Sequence, residues 1–166
     1  MLGWLIVEKL STGHGTTLGA ASGAVAGLVA ITPCAGFVGG ASPLIIGGGA
    51  GMVCYLALRI KSALRLDDSL DVIAVHLVGG LFGSIVLGLF ADASATGAGT
   101  DGLFFGGGSD LLVDQIVACL AVVVYSLVVS YLIALAIERT IGMRVAPDDE
   151  YVGLDQTQHA ESAYQP

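Results

Sequence analysis

Hydrophobic positions in this chain fall in long unbroken blocks rather than alternating with polar ones. The blocks cover residues 18–38, 43–58, 72–91 and 111–137. A bilayer core is crossed by a helix of about 20 apolar residues. Lipid offers no partner to a free backbone amide, so each block is predicted to be helical. The second block is short for a span unless residues 39–42 and positions near Ile60 extend it. The fourth is long enough to tilt. Inside the blocks the ionisable residues are Arg59 at one edge, His76, and Asp114 near one end. Ahead of them, residues 1–9 are apolar but too short to span. They lack the basic region and cleavage site of a signal peptide, and read as the end of a helix whose beginning lies outside the sequence. The predicted fold is all-α, a polytopic membrane helix bundle with four spans. Residues 1–16 form a helix end and link, 17–138 the transmembrane region, and 139–166 a tail.

The links fix an orientation. Lys9 precedes the first span. Arg59, Lys61 and Arg65 lie between the second and third, and Arg139 and Arg144 follow the fourth. These are all six basic residues, and they share one side if the spans alternate. The positive-inside rule makes that side cytoplasmic, together with the C-terminal tail. The opposite links carry no charge (residues 31–42) or only Asp (residues 92–110).

Small residues recur at every fourth position: Gly19, Gly23 and Gly27; Gly47 and Gly51; Gly80, Ser84 and Gly88. Such stripes let helix backbones approach closely. Pro33 is expected to kink or end the first span. The glycines of residues 97–108 suggest a flexible external loop, with Phe104 and Phe105 placed to rest at the interface. Cys34, Cys54 and Cys119 show neither a disulfide framework nor a zinc spacing.

Composition agrees with the pattern. Of 166 residues, 55% are hydrophobic and 12% charged, with a net charge of −8. Soluble domains carry about 25% charged residues, so a soluble enzyme is excluded. A nucleic-acid surface is excluded too, since it needs an excess of Lys and Arg.

One residue in the spans carries chemistry. An ionisable side chain at membrane depth is costly, which makes His76 the functional candidate. A neutral imidazole both donates and accepts hydrogen bonds, so it can hold a small polar molecule or relay a proton. The alternative is an imidazole bonded to a neighbouring helix for packing alone. Val72 lies four residues earlier on the same helical face and shares the surface that His76 lines. Asp67, Asp68 and Asp71 gather at the start of the third span. There carboxylates cap free amides and favour the helix dipole, and Asp67 and Asp68 can answer Arg59, Lys61 and Arg65. His14 and His159 are expected in solvent, and Glu8 and Asp114 at the interface. Nothing calls for a metal or a cofactor, and no nucleophile–base arrangement suggests an enzyme.

Several stretches resemble the ammonium transporter (Amt/Mep/Rh) family. They are LGAASGAVAGLVAITP from Leu18 to Pro33, DDSLD from Asp67 to Asp71, and the pair Val75-His76. In the tail they are GMRV from Gly142, GLD from Gly153 to Asp155, and His159, Glu161, Ala163 and Tyr164. The resemblance covers nearly all of this chain but only the C-terminal part of the family's. It implies a partial ammonium-transporter fold: the end of helix seven, helices eight to eleven and the cytoplasmic tail of an eleven-helix subunit. In the family that subunit forms homotrimers in the cell membrane. The resemblance places His76 on the second of two pore histidines and Val72 on an apolar pore wall. The implied activity is passage of ammonia along an apolar pore after ammonium is deprotonated outside. The first pore histidine, the aromatic gate and the outer cation site belong to helices absent here. Leu77 stands where the family often has Gly. Asp155 and Tyr164 match a tail that docks on the cytoplasmic face, where regulatory trimers of the PII class bind many bacterial members. The competing expectation is a non-conducting scaffold that associates with full-length transporter subunits.

Overall fold

The computed structural model describes residues 1–97 and 99–162. Every regular element among them is helical: α1 (Leu2–Thr12), α2 (Thr17–Ile31), α3 (Ser42–Leu64), α4 (Ile73–Phe90), α5 (Ala93–Thr96), α6 (Asp110–Thr140), α7 (Pro147–Val152) and α8 (Leu154–His159), with a 3₁₀ turn at Leu103–Phe105. The chain divides into two compact units, residues 1–121 and 122–166, and α6 contributes to both.

Three helices, α3, α4 and α6, are long and apolar enough to cross a membrane. The second and fourth apolar blocks extend beyond their sequence limits, α3 to Leu64 and α6 to Thr140. The first block is shorter as a helix than its hydropathy suggests. Helix α2 stops at Ile31, two residues before Pro33, and turns bonded Cys34 N–H to Ile31 and Phe37 N–H to Cys34 follow it. Proline disfavours helix in the residue before it and donates no N–H, which explains the stop. At about 1.5 Å per residue, the 15 residues of α2 reach about 22 Å, against about 30 Å of hydrocarbon.

In the first unit the helices meet through glycines. A Cβ on Gly23 would lie 2.5 Å from Cβ of Trp4, and one on Gly51 2.7 Å from the Trp4 nitrogen. Trp4, only 3% exposed, therefore sits in a notch cut by glycines of α2 and α3, with its ring edge-on to Tyr55. Gly3 meets the Gly48 backbone, and Gly27 faces Gly47. The stripes of α2 and α3 are thus contact faces, as their spacing predicts. In α4 the contacts belong to a different row. Gly79 packs on Cys54 and Val29, and Gly83 against the Ala30 backbone, whereas a Cβ on Gly80 would meet open space. Gly88 does pack, against Leu112 of α6. The apolar core gathers Ala30, Cys34, Ile46, Ala50, Val86, Leu87 and Ala91 around these approaches.

Glu8 is buried against the start of α2. It is 8% exposed. Its carboxylate accepts the Thr16 N–H at 3.2 Å and the Thr16 hydroxyl at 2.8 Å. The Thr16 oxygen accepts the Gly19 N–H at 2.8 Å, capping α2. A Cβ on Gly19 would collide with the same carboxylate. The link after α4 is organised rather than loose. Asp101 accepts the Ala93 N–H at 2.8 Å, Gly102 N–H bonds to Ala91, and Phe104 stands edge-on to Phe90.

In the second unit, Glu138 accepts the Met143 N–H at 2.9 Å, and Arg144 Nε donates to Glu150 at 3.2 Å. Gly153, with φ +114°, separates α7 from α8.

Candidate functional site

The site is built from the start of α4. Asp68 accepts the N–H groups of Val72 at 2.8 Å and Ile73 at 2.9 Å. Those amides open the helix and have no carbonyl of their own to bond. The Ile73 N–H holds the Asp68 carboxyl below its ordinary value. The Val72 N–H and the charge of Lys61 add to this, and partial desolvation opposes it. Asp71 takes a left-handed conformation, φ +57°, and its carboxylate pairs with Lys61 at the end of α3. Lys61 thus answers this cluster, with Asp71 as its direct partner. Asp67 is exposed.

Residues Ile73–Val78 form a π-helical turn before α-helix resumes at Gly79. Such turns concentrate at functional positions. The turn divides the helix into two faces. Ala74, Val75, Gly79 and Gly83 are buried against α2 and α3, while Val72, His76 and Leu77 are exposed. Val72 is 48% exposed and Leu77 46%. Among the described residues, His76 has no hydrogen-bond or ion-pair partner. Its imidazole is therefore presented outward with both nitrogens available, on an otherwise apolar surface.

The structure brings Asp68, Asp71, Val72 and His76 together along one stretch of the first unit. Asp155 lies in the first turn of α8, in the second unit, and Tyr164 lies outside the described residues. Sequence reasoning missed two features of this region. The first is the Lys61–Asp71 pair. The second is the open space at Gly80, which it assigned to packing.

Comparison with known proteins adds an independent line. A model described as the Ammonium Transporter Family matches residues 1–164. The chain is 47% identical over 169 residues to the ammonium transporter of Mycobacterium tuberculosis strain H37Rv, across 99% of this chain and 35% of that protein. It is 44% identical over 164 residues to the ammonium transporter of Bacillus subtilis strain 168, across 98% of this chain and 40% of that protein. Among solved structures, Candida albicans Mep2 superimposes with a TM-score of 0.81 at 34% identity, over 95% of this chain and 36% of that one. Saccharomyces cerevisiae Mep2 gives a TM-score of 0.81 at 33% identity, over 99% and 40%. The chain thus spans 35% to 40% of the length of these curated relatives.

Proposed function

This chain belongs to the Ammonium Transporter Family, and from that premise we propose that it supplies one wall of an ammonium-conducting path, with His76 as the polar group on that wall. The observation that carries the reading is the outward, unpartnered imidazole of His76 beside exposed, apolar Val72, on a helix whose other face is buried. The rest of the wall comes from the part of the family's length that these residues do not cover. The protein is a transporter rather than an enzyme, and its substrate is ammonium, carried through the apolar stretch as ammonia. A bare cation is expensive on an apolar wall, so the wall rejects ions that cannot shed a proton. A neutral imidazole offers the passing molecule both a donor and an acceptor.

The same reading places the protein in the cell membrane with Lys9, Arg59, Lys61, Arg65 and the tail on the cytoplasmic side. Homotrimer assembly is part of it. So is a role for Asp155 and Tyr164 in docking the tail, and for a PII-class regulator at that face.

Ammonium uptake by cells carrying His76→Ala tests the proposal. Uptake per molecule is expected to fall at unchanged membrane abundance, and wild-type uptake would overturn it. A second reading, a non-conducting scaffold, draws on the fraction of the relatives that the chain spans. Residues 1–166 in liposomes are expected to carry no flux alone, and flux is expected once the remaining two thirds of a family chain is supplied. Absence of flux in that second condition favours the scaffold.

A further inference from the structure

His76 stands between two grips on α4. Beyond it, Gly79 packs on Cys54 and Val29 and Gly83 against the Ala30 backbone, so that stretch cannot rotate without collision. Before it, the Asp68 carboxylate holds the helix start from the link. Its Oδ1 takes the Val72 N–H at 2.8 Å and its Oδ2 the Ile73 N–H at 2.9 Å. Asp71 supports the same end: its carboxylate pairs with Lys61, and its carbonyl accepts the Val75 N–H at 2.9 Å. Between the grips lies the π turn Ile73–Val78, which carries His76.

A π turn is a rare, single-turn departure from α-helix. If it relaxes to α pitch the helix slips by one residue, a rotation of about 100° at 3.6 residues per turn. Gly79 and Gly83 fix the far side, so the rotation falls on the residues before them, His76 included. Val75 is buried beside Trp4, Ala26 and Cys54, but apolar burial is non-directional and does not select a register by itself. The two bonds to Asp68 are directional. The ring has no hold of its own: among the described residues the imidazole has no hydrogen-bond or ion-pair partner. Its direction is therefore set by the backbone of the turn, and Asp68 holds the open end of that turn.

We propose that Asp68 is a positioning residue for His76: its two bonds keep the π turn in register and so keep the imidazole facing outward, toward the path. This rests on the assignment of His76 to the path. The first test reads the ring itself, as the side-chain nitrogen resonances of His76 in bilayers, assigned by comparison with His76→Ala. They are expected to shift or split in Asp68→Asn, which keeps one acceptor oxygen and loses the other. They are expected to stay in place in Thr16→Ala, which removes the cap of α2 and leaves the turn alone. Unmoved resonances in Asp68→Asn overturn the proposal, and so does an equal shift in Thr16→Ala. Asp68→Ser, which also keeps a single acceptor, replaces Asn if that variant does not reach the membrane.

The second test reads ammonium uptake per molecule, normalised to membrane abundance, with the remaining part of a family chain supplied. Asp68→Asn is expected to lower uptake about tenfold, within the hundredfold that a misplacement of about 1 Å can cost. In the His76→Ala background the same substitution is expected to change nothing further, because it acts through the ring. A further loss of about tenfold there overturns the proposal. Full uptake in His76→Ala removes the path assignment instead, and the ring resonances then still decide whether Asp68 directs the imidazole.

Discussion

The carboxylate of Asp68 receives the N–H of Val72 at 2.8 Å, so the link before α4 holds the first residue of that helix's outward face. It receives the Ile73 N–H as well. The wall on which His76 stands is therefore anchored at its base by a carboxylate that must be ionised to accept both bonds.

That anchor has a predictable pH response. The Asp68 carboxyl is lowered in the folded chain, chiefly by the Ile73 N–H. A lowered folded value adds stability above the unfolded value, near about 4, and loses it as pH falls through the folded value. Hydrogen-exchange protection of the Val72 and Ile73 amides is expected to stay flat from neutral pH to about pH 5 and to decline only in stronger acid. In Asp68→Ala protection is expected to be low throughout. A decline between neutrality and pH 5 in the wild type would contradict the assignment.

Two neighbouring glycines of α4 should respond in opposite ways. A methyl on Gly83 meets the Ala30 backbone, which cannot swing aside, whereas one on Gly80 meets open space. Gly83→Ala is expected to destabilise by about 1–3 kcal/mol or more, the usual range for overpacking. Gly80→Ala is expected to be neutral or slightly stabilising, since Ala favours helix over Gly by up to about 1 kcal/mol. Thermal unfolding in detergent micelles distinguishes them, and equal losses would place the contact row wrongly.

Glu8 and Thr16 should behave as one unit. Thr16→Ala is expected to cost about 0.5–2 kcal/mol as a lost cap. Glu8→Ala is expected to cost about 1.5–3 kcal/mol as a lost charge-assisted bond. Because each removes the same contact, the double variant is expected to lose less than the sum by at least about 0.5 kcal/mol. Equilibrium unfolding in mixed micelles gives the four values, and strict additivity would show that the two do not act together.

Asp71 combines an ion pair with a left-handed backbone. Asp71→Gly and Asp71→Ala both remove the pair with Lys61, but only Ala keeps a Cβ that disfavours φ +57°. Ala is expected to be less stable than Gly by about 1–2 kcal/mol. The same unfolding assay checks the order, and Ala at least as stable as Gly would argue against the left-handed turn.

The sequence alone determined the apolar blocks, their helical state, the stop near Pro33 and the intramembrane His76. Each of these depends on what a residue does in lipid or to its own backbone, and is therefore local. The tertiary structure decided which glycines touch and which face open space, that Lys61 pairs with Asp71, and that Glu8 is buried on Thr16. Those outcomes depend on helix phase and on partners distant in the chain. In α4 the phase is shifted by the π turn at Ile73–Val78. Counting in fours finds a stripe of small residues but not which stripe meets a neighbour, and here Gly79 and Gly83 make the contact while Gly80 faces open space.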